Sequence, residues 1–355
     1  MKKSYLFSIG FALLAAILFG LSTPLAKLLL GEIDPIHLAA FLYLGSGLCL
    51  LLIKIIQKFS SNHMVTEARL SGSDLAWLAG ATLAGGVIGP IILMQSLQHT
   101  PAATASLLLN FESVATTIIA AIIFKEAVSR RAWWAIITIA LASSLLSLNL
   151  NDTWGFSLGA VGIIAASLFW GMDNNLTRNI SGKDPITIVT IKGLSAGLFS
   201  LILAISTGKT FPSWEIILKT MLLGGLSYGL SILFYIRSLR SLGAARTSGL
   251  YSTAPLSGLV TSLIIFREPP NIMLVLALPL MAIGTALLVN ELHDHTHIHE
   301  PLIHDHSHNH DDGHHDHSHS GGLVPNRKTH SHMHEHPEIQ HEHHHMPDTH
   351  HRHSH

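Results

Sequence analysis

Glu112 is a lone carboxyl group inside a helix-length apolar stretch, with Ser106, Asn110, Ser113 and Thr117 nearby. An ionisable side chain in such surroundings is costly unless it is protonated, paired or facing water, so it marks a candidate for proton coupling or solute binding. On a helix Ser106, Asn110, Ser113 and Thr117 fall on one face, and Glu112 points about 160° away from Asn110. That polar face either lines a cavity or hydrogen-bonds a neighbouring helix. A second polar cluster, Trp170-Gly171-Met172-Asp173-Asn174-Asn175 followed by Thr177 and Arg178, closes another apolar stretch. It suits a gate or part of a solute site, or a helix end entering the headgroup region. Tyr251 and Gln95 are further candidate solute contacts. Lys27 and Lys192 can pair with acidic groups, with snorkelling toward the membrane surface the favoured expectation, and Pro24 and Pro90 either interrupt their helices near a cavity or kink them.

Different chemistry sits at the C-terminus. Of 27 His, only His37, His63 and His99 precede residue 293. Those three are single and look peripheral. Most of the other 24 recur at i,i+2 in blocks: His293, His295, His297, His299; His304, His306, His308, His310; His314, His315, His317, His319; His330, His332, His334, His336; and a further block from His341 to His345. Imidazole interspersed with carboxylate suits Ni(II), Co(II), Zn(II) or Cu(II), bound through neutral rings. The segment has few large apolar residues and is expected to be disordered. No other cofactor is called for. The chain lacks a phosphate-binding loop, a nucleophile motif and a zinc-protease helix, which argues against an enzyme, and it has no basic tract for nucleic acid. Its one Cys, Cys49, excludes an internal disulfide.

The elements that must position these residues are long and apolar. Ten segments approach the length of a bilayer-crossing helix: 5–29, 36–57, 75–97, 101–123, 132–149, 156–177, 186–206, 216–236, 244–266 and 271–290. They fall into two similar sets. Ala102 to Glu126 recurs at Ala244 to Glu268, ending Ile-Ile-Phe-Lys-Glu in one copy and Ile-Ile-Phe-Arg-Glu in the other. Ser96-Leu97 falls on Ser238-Leu239 at the same offset, so Ser248 and Ser252 stand where Ser106 and Asn110 do. Leu18-Phe19-Gly20 and Lys27 match Leu168-Phe169, Gly171 and Arg178 with one residue inserted. The match also makes the N-terminal run a retained span and not a signal peptide.

Five spans per copy is an odd number, so the copies are expected to be inverted. Charge agrees: the loop after Phe124 carries Lys125, Arg130 and Arg131, whereas its counterpart after Phe266 carries Arg267. Lys and Arg crowd the side shared by the N-terminus, which puts both termini in the cytoplasm. The expected organisation is a first five-helix repeat over 1–149, a second over 150–291 and the His-rich tail over 292–355. The expected fold is all-α and integral to the cytoplasmic membrane.

Over about residues 5 to 291 the chain resembles the EamA-type transporters of the drug/metabolite transporter superfamily. The cues are the two five-helix halves, the Phe-Lys-Glu and Phe-Arg-Glu endings and Trp170-Gly171. The family often has Glu-Pro midway along the fourth helix of each repeat. Here one half has Glu112-Ser113 and the other Ala254-Pro255, which weighs against a two-carboxylate mechanism. The resemblance implies export or import of small solutes, often coupled to protons or another gradient, and usually no catalysis.

The sequence therefore predicts a secondary carrier, an exporter working by alternating access, whose partners are the bilayer and either an organic metabolite or drug or a divalent metal ion. A membrane-anchored metal buffer or sensor without transport is the alternative. Oligomeric state is left open, with a homodimer among the options.

Overall fold

A computed structural model describes residues 2–60, 68, 70–124, 128, 130–149, 155–180, 183–242, 250–251, 253–267 and 272–289, together with 296–299, 302–308, 330–336 and 339–342 of the tail. The membrane part is helical. Six stretches are long and apolar enough to cross a bilayer: Leu6–Leu29, Pro35–Phe59, Asp74–Gln98, Ala102–Ile122, Pro185–Ser206 and Trp214–Ser238. Ala254–Phe266 and Ile272–Leu287 are shorter apolar helices. Arg130–Ser147 and Leu158–Arg178 complete the set. The first of these is less apolar because it opens on two arginines, the second because it ends in the Asp173-Asn174-Asn175 cluster. In chain order these are spans one to ten of the sequence reading. A two-residue strand pair, Leu148↔Phe156 and Asn149↔Gly155, joins spans five and six.

Four of the spans are locally interrupted. Span one breaks between Gly20 and Ser22, and span four between Leu108 and Phe111. Spans three and eight each contain a π-helical turn, Thr82–Ile88 and Gly225–Leu230. The two π turns end at matched positions, Ile88 and Leu230, at the offset that carries Ser96 onto Ser238.

Packing repeats as the sequence does. Spans two and seven pack together, as do five and ten, each the counterpart of its partner. Span one packs on spans eight and nine, and span six on spans three and four. The close approaches coincide as well. A Cβ on Gly20 would lie 1.9 Å from Ser257 Oγ and 3.0 Å from Gly258 N; one on Gly171 would lie 2.7 Å from Ala115 Cβ and 2.8 Å from Thr116 N. Ala115 and Thr116 are the repeat counterparts of Ser257 and Gly258. Small residues thus let two matching helix pairs meet backbone to backbone.

The core is rich in alanine and leucine, and large apolar side chains such as Leu52, Phe199 and Ile202 are exposed on the periphery, as a bilayer requires. His37, which sequence places at the periphery, is fully buried between Phe41 and Phe211, and neither ring nitrogen has a hydrogen-bond partner among the described residues.

Where composition predicts disorder, the described parts of the tail are extended. Thr296–His299 pairs with Ile339–Glu342, and Leu302–His308 with His330–His336, both antiparallel. The alternating His pattern has the two-residue period of a strand, and pairing satisfies the backbone of segments that have no core to bury. Of the tail's His, positions 297, 299, 304, 306, 308, 330, 332, 334, 336 and 341 lie on these strands; the others, among them His293, His295, His310, His314, His315, His317 and His319, lie outside the described residues.

Candidate functional site

The Thr82–Ile88 π turn sets up the site through backbone bookkeeping. The N–H of Gly89 bonds back to Ala84 O and so leaves Gly85 O without its α-helical donor. The next donor along would be residue 90, which is Pro90 and has no N–H. A buried carbonyl without a partner is costly, and here two side chains supply the bonds: Tyr43 Oη donates to Gly85 O at 2.6 Å and Trp170 Nε1 at 2.9 Å. Pro90 therefore acts one turn away from itself, by drawing spans two and six to span three.

Gly85 also admits the carboxylate of Asp173. A Cβ there would meet Asp173 Oδ2 at 2.0 Å, so no other residue fits without displacing the acid. Asp173 is 7% exposed, accepts from Thr177 Oγ1 at 2.9 Å and forms an ion pair with Lys192 of span seven. Lys192 thus does not snorkel as the sequence suggests, because a buried carboxylate stands closer than the membrane surface. Nor does Lys27: its Nζ donates to the last carbonyls of span three, Leu97 O at 2.5 Å and Gln98 O at 3.0 Å.

Glu112 lies beside this pair. Its Oε1 accepts from Asn174 Nδ2 at 2.8 Å, and the same amide nitrogen is 3.1 Å from Thr116 Oγ1. Asn175 Nδ2 donates to Thr116 O and Gly171 O, which fixes span six against span four. The two acids are differently held. Asp173 is tied to a cation, whereas among the described residues Glu112 has a neutral amide partner and no ion pair. Glu112 can therefore change protonation without leaving a lysine unpaired.

The site opens toward one end of the bundle. Along one stripe of span six Ile163 and Ser167 are fully buried and Trp170 is 6% exposed, yet Asn174, next on the stripe, is exposed. Polar groups at membrane depth face the bundle interior or a water-filled cavity. The seam between spans four and six is thus buried at Trp170 and exposed at Asn174.

That open end carries an ionic clasp. Asp184 caps span seven, accepting from Ile186 N at 3.0 Å, and binds Lys54 at 2.9 Å and Thr187; Lys183 lies 3.9 Å from Asp74 at the start of span three. Burial alone would raise the Asp184 pKa, but the Thr187 and Lys54 hydrogen bonds and the Lys54 charge outweigh it and hold the carboxyl below its usual value. A carboxyl with a depressed folded-state pKa stabilises above its unfolded value and loses that contribution as pH falls through the folded one. Asp184→Asn should thus cost about 1 kcal/mol at neutral pH, and the gap from wild type should close below about pH 4. Thermal unfolding in detergent across pH checks this, and a gap that widens in acid would contradict it.

The opposite end holds a cavity of about 560 Å³ lined by Asp34, Gln95, Gln98, His99, Thr207 and Lys209 among others. Its floor is closed where spans three and six meet. A Cβ on Gly162 would lie 2.0 Å from Ser96 Oγ, and one on Gly159 2.3 Å from Thr100 Oγ1.

Other residues singled out by sequence lie elsewhere. Ser106 bonds Ala102 O of its own helix and packs on Gly258. Asn110 is buried against span ten, 3.3 Å from Thr285 Oγ1 and 3.7 Å from Met281 Sδ. Ser113 O accepts from Thr117. This face joins spans four, nine and ten, and Glu112 looks the other way, toward span six. Tyr251 packs on Phe19 and Tyr235 and lies 3.5 Å from Ser231 Oγ. Gln95 lines the far cavity, and Ser248 and Ser252 lie outside the described residues. Sequence reasoning missed Tyr43, Gly85 and Thr116. The available signals were Tyr43 in mid-span and Pro90 five residues after Gly85.

The model of the EamA-like transporter family matches this chain twice, over residues 6–148 and 157–290. The chain belongs to the EamA-like transporter family. The two EamA matches leave out the joint between spans five and six and the His-rich tail. A curated relative is described as an uncharacterized transporter of Methanothermobacter thermautotrophicus; it is 28% identical over 278 residues, covering 73% of this chain and 79% of the relative. A solved crystal structure resembles the EamA chain with a TM-score of 0.56 at 18% identity, over 78% of this chain and 95% of the other, which is a likeness of fold.

Proposed function

We propose that this EamA-family protein is a proton-coupled secondary exporter that works by alternating access between two inverted halves of five spans each. The observation that carries the reading is the placement of Glu112: mid-span, partly exposed, bonded to the exposed Asn174 and, among the described residues, in no ion pair, beside an acid that already has its lysine. The swapped packing of spans one and six on matching partners supplies two related arrangements that can exchange. The excess of Lys and Arg at the Lys54 end supports a cytoplasmic location for that end and for both termini. In that orientation the site faces the cytoplasm and the 560 Å³ cavity is the outer mouth.

The tail belongs to this proposal as a binder of divalent transition metals. Among the described residues no three His, Cys, Asp or Glu side chains come together, so the core supplies no support for a metal path of its own. The tail then buffers or senses metal while the membrane part moves another solute. Its composition also favours the second reading, a metal buffer anchored in the membrane, which predicts no flux.

The test is proteoliposome flux with a pH dye inside, comparing the intact chain, a chain ending at Val289 and empty vesicles across a panel of metabolites, cationic drugs and metal ions. The expected result is proton movement evoked by a solute in both chains. Stoichiometric Ni(II) or Zn(II) binding should appear in the intact chain alone and be lost below about pH 6, where imidazole is protonated. Metal binding with no solute flux would favour the buffer.

A further inference from the structure

We infer that the tail takes a divalent transition-metal ion between two strands, on one face of a hairpin, through imidazoles of adjacent cross-strand His pairs. The inference rests on the reading of the tail as a metal binder and names the site. Register carries it. His304 stands directly opposite His334, His306 opposite His332 and His308 opposite His330. Residues opposed in an antiparallel pair lie on one face, and so do residues two apart on one strand. These six His therefore form three rungs on a single face. The other face has none; it holds Asp305 and Glu335, with Ser307 opposite Ser331. A slip of one residue would set His306 against Ser331 or Met333 and break every rung. The outer ladder continues the same register: from Thr296 to His308 is twelve residues, and from Glu342 back to His330 is twelve. It sets His297 opposite His341.

The spacing suits an ion. Opposed Cβ atoms are about 4.5–5.5 Å apart, and residues two apart on a strand about 7 Å. Two neighbouring rungs thus place four His at the corners of a small rectangle, and metal–nitrogen bonds of about 2 Å bring an ion near its middle within reach of all four. No three such side chains converge among the described residues, so the ion assembles the site as it binds. That couples binding to strand pairing. A two-stranded hairpin without an apolar face is marginal in water, and closing the chain between His308 and His330 costs entropy. Bonds from both strands to one ion supply what a core does not. The chemistry follows from the faces. Asp305 and Glu335 fall on the side without His, so the rungs offer nitrogen alone. Such a set suits Zn(II), Ni(II), Co(II) or Cu(II) and rejects Mg(II) and Ca(II), which require oxygen.

The experiment uses the full chain in detergent with Zn(II) as probe and Mg(II) as control. In a Cys49→Ala background, nitroxides at Ser307→Cys and Ser331→Cys mark opposed positions on the face without His. Zn(II) at neutral pH should collapse their separation to a single short distance, Mg(II) should not, and acidification to about pH 5 should reverse the change. In the unlabelled chain, replacing His330, His332 and His334 by Asn should weaken the tightest Zn(II) binding about a hundredfold, because the second strand no longer holds ligands at high effective concentration. Replacing His314, His315 and His317 by Asn removes as many imidazoles and should leave that binding unchanged. Equal losses from the two triple variants, or a label separation that ignores Zn(II), would overturn the cross-strand site and leave the tail a binder through local His. No Zn(II) binding by the intact chain would overturn the metal-binding reading of the tail itself, and this inference with it.

Discussion

Replacing Asp173 by alanine should destabilise the folded protein by about 3–5 kcal/mol, the cost of leaving a buried partner charge uncompensated. Lys192 is 16% exposed at its side chain and lies well inside span seven, so loss of Asp173 leaves a largely buried ammonium without its ion-pair partner. The double variant Asp173→Ala, Lys192→Met should recover most of that loss, because it removes both charges together. Thermal or denaturant unfolding in detergent measures both. If the double variant were as unstable as the single, the pair would not be the source of the cost, and the contact of Asp173 with Gly85 and Thr177 would have to account for it.

Glu112→Gln should reduce proton-linked flux to the level of empty vesicles while the protein stays folded. The amide keeps an oxygen for Asn174 to donate to, so the packing of spans four and six should survive. What disappears is the ability to exchange a proton for a solute, and with it any dependence of the residual exchange on pH. Glu112→Asp, which keeps the charge on a shorter side chain, should retain coupling with a shifted pH profile. Coupled flux at the wild-type level in Glu112→Gln would remove this carboxyl from the mechanism, with Asp173 the next acid to test.

Much of this architecture was legible in the sequence because membrane helices announce themselves. The apolar lengths marked the spans, and the offset that carries Ser96 onto Ser238 is the one that relates the ends of the two π turns, although the sequence announced neither turn. Helical angles separated Glu112 from Asn110, and the two do enter different interfaces. The i,i+4 pairing of Asp173 and Thr177 was also readable, since it needs only local geometry.

Partners far apart in the chain were not readable. Lys192 meets Asp173 because span seven packs beside span six, and nothing in either helix alone reveals it. Tyr43 and Trp170 converge on Gly85 because of a π turn, and sequence shows only its by-products, the glycines and Pro90. His37 looked peripheral because it stands one turn into span two; it is enclosed by Phe211, which arrives from the loop before span eight.

Labelling from each side of the membrane tests the exchange of the two arrangements most directly. In a Cys49→Ala background, Asn174→Cys reports on the open end of the seam and Ser167→Cys on its closed part, where the residue is fully buried. A maleimide that cannot cross the bilayer should reach position 174 from the cytoplasmic side at rest and leave position 167 unmodified from outside. With solute and a proton gradient present, modification at 174 should fall as modification at 167 rises. If both positions react at once, or neither changes under any gradient, the halves do not alternate.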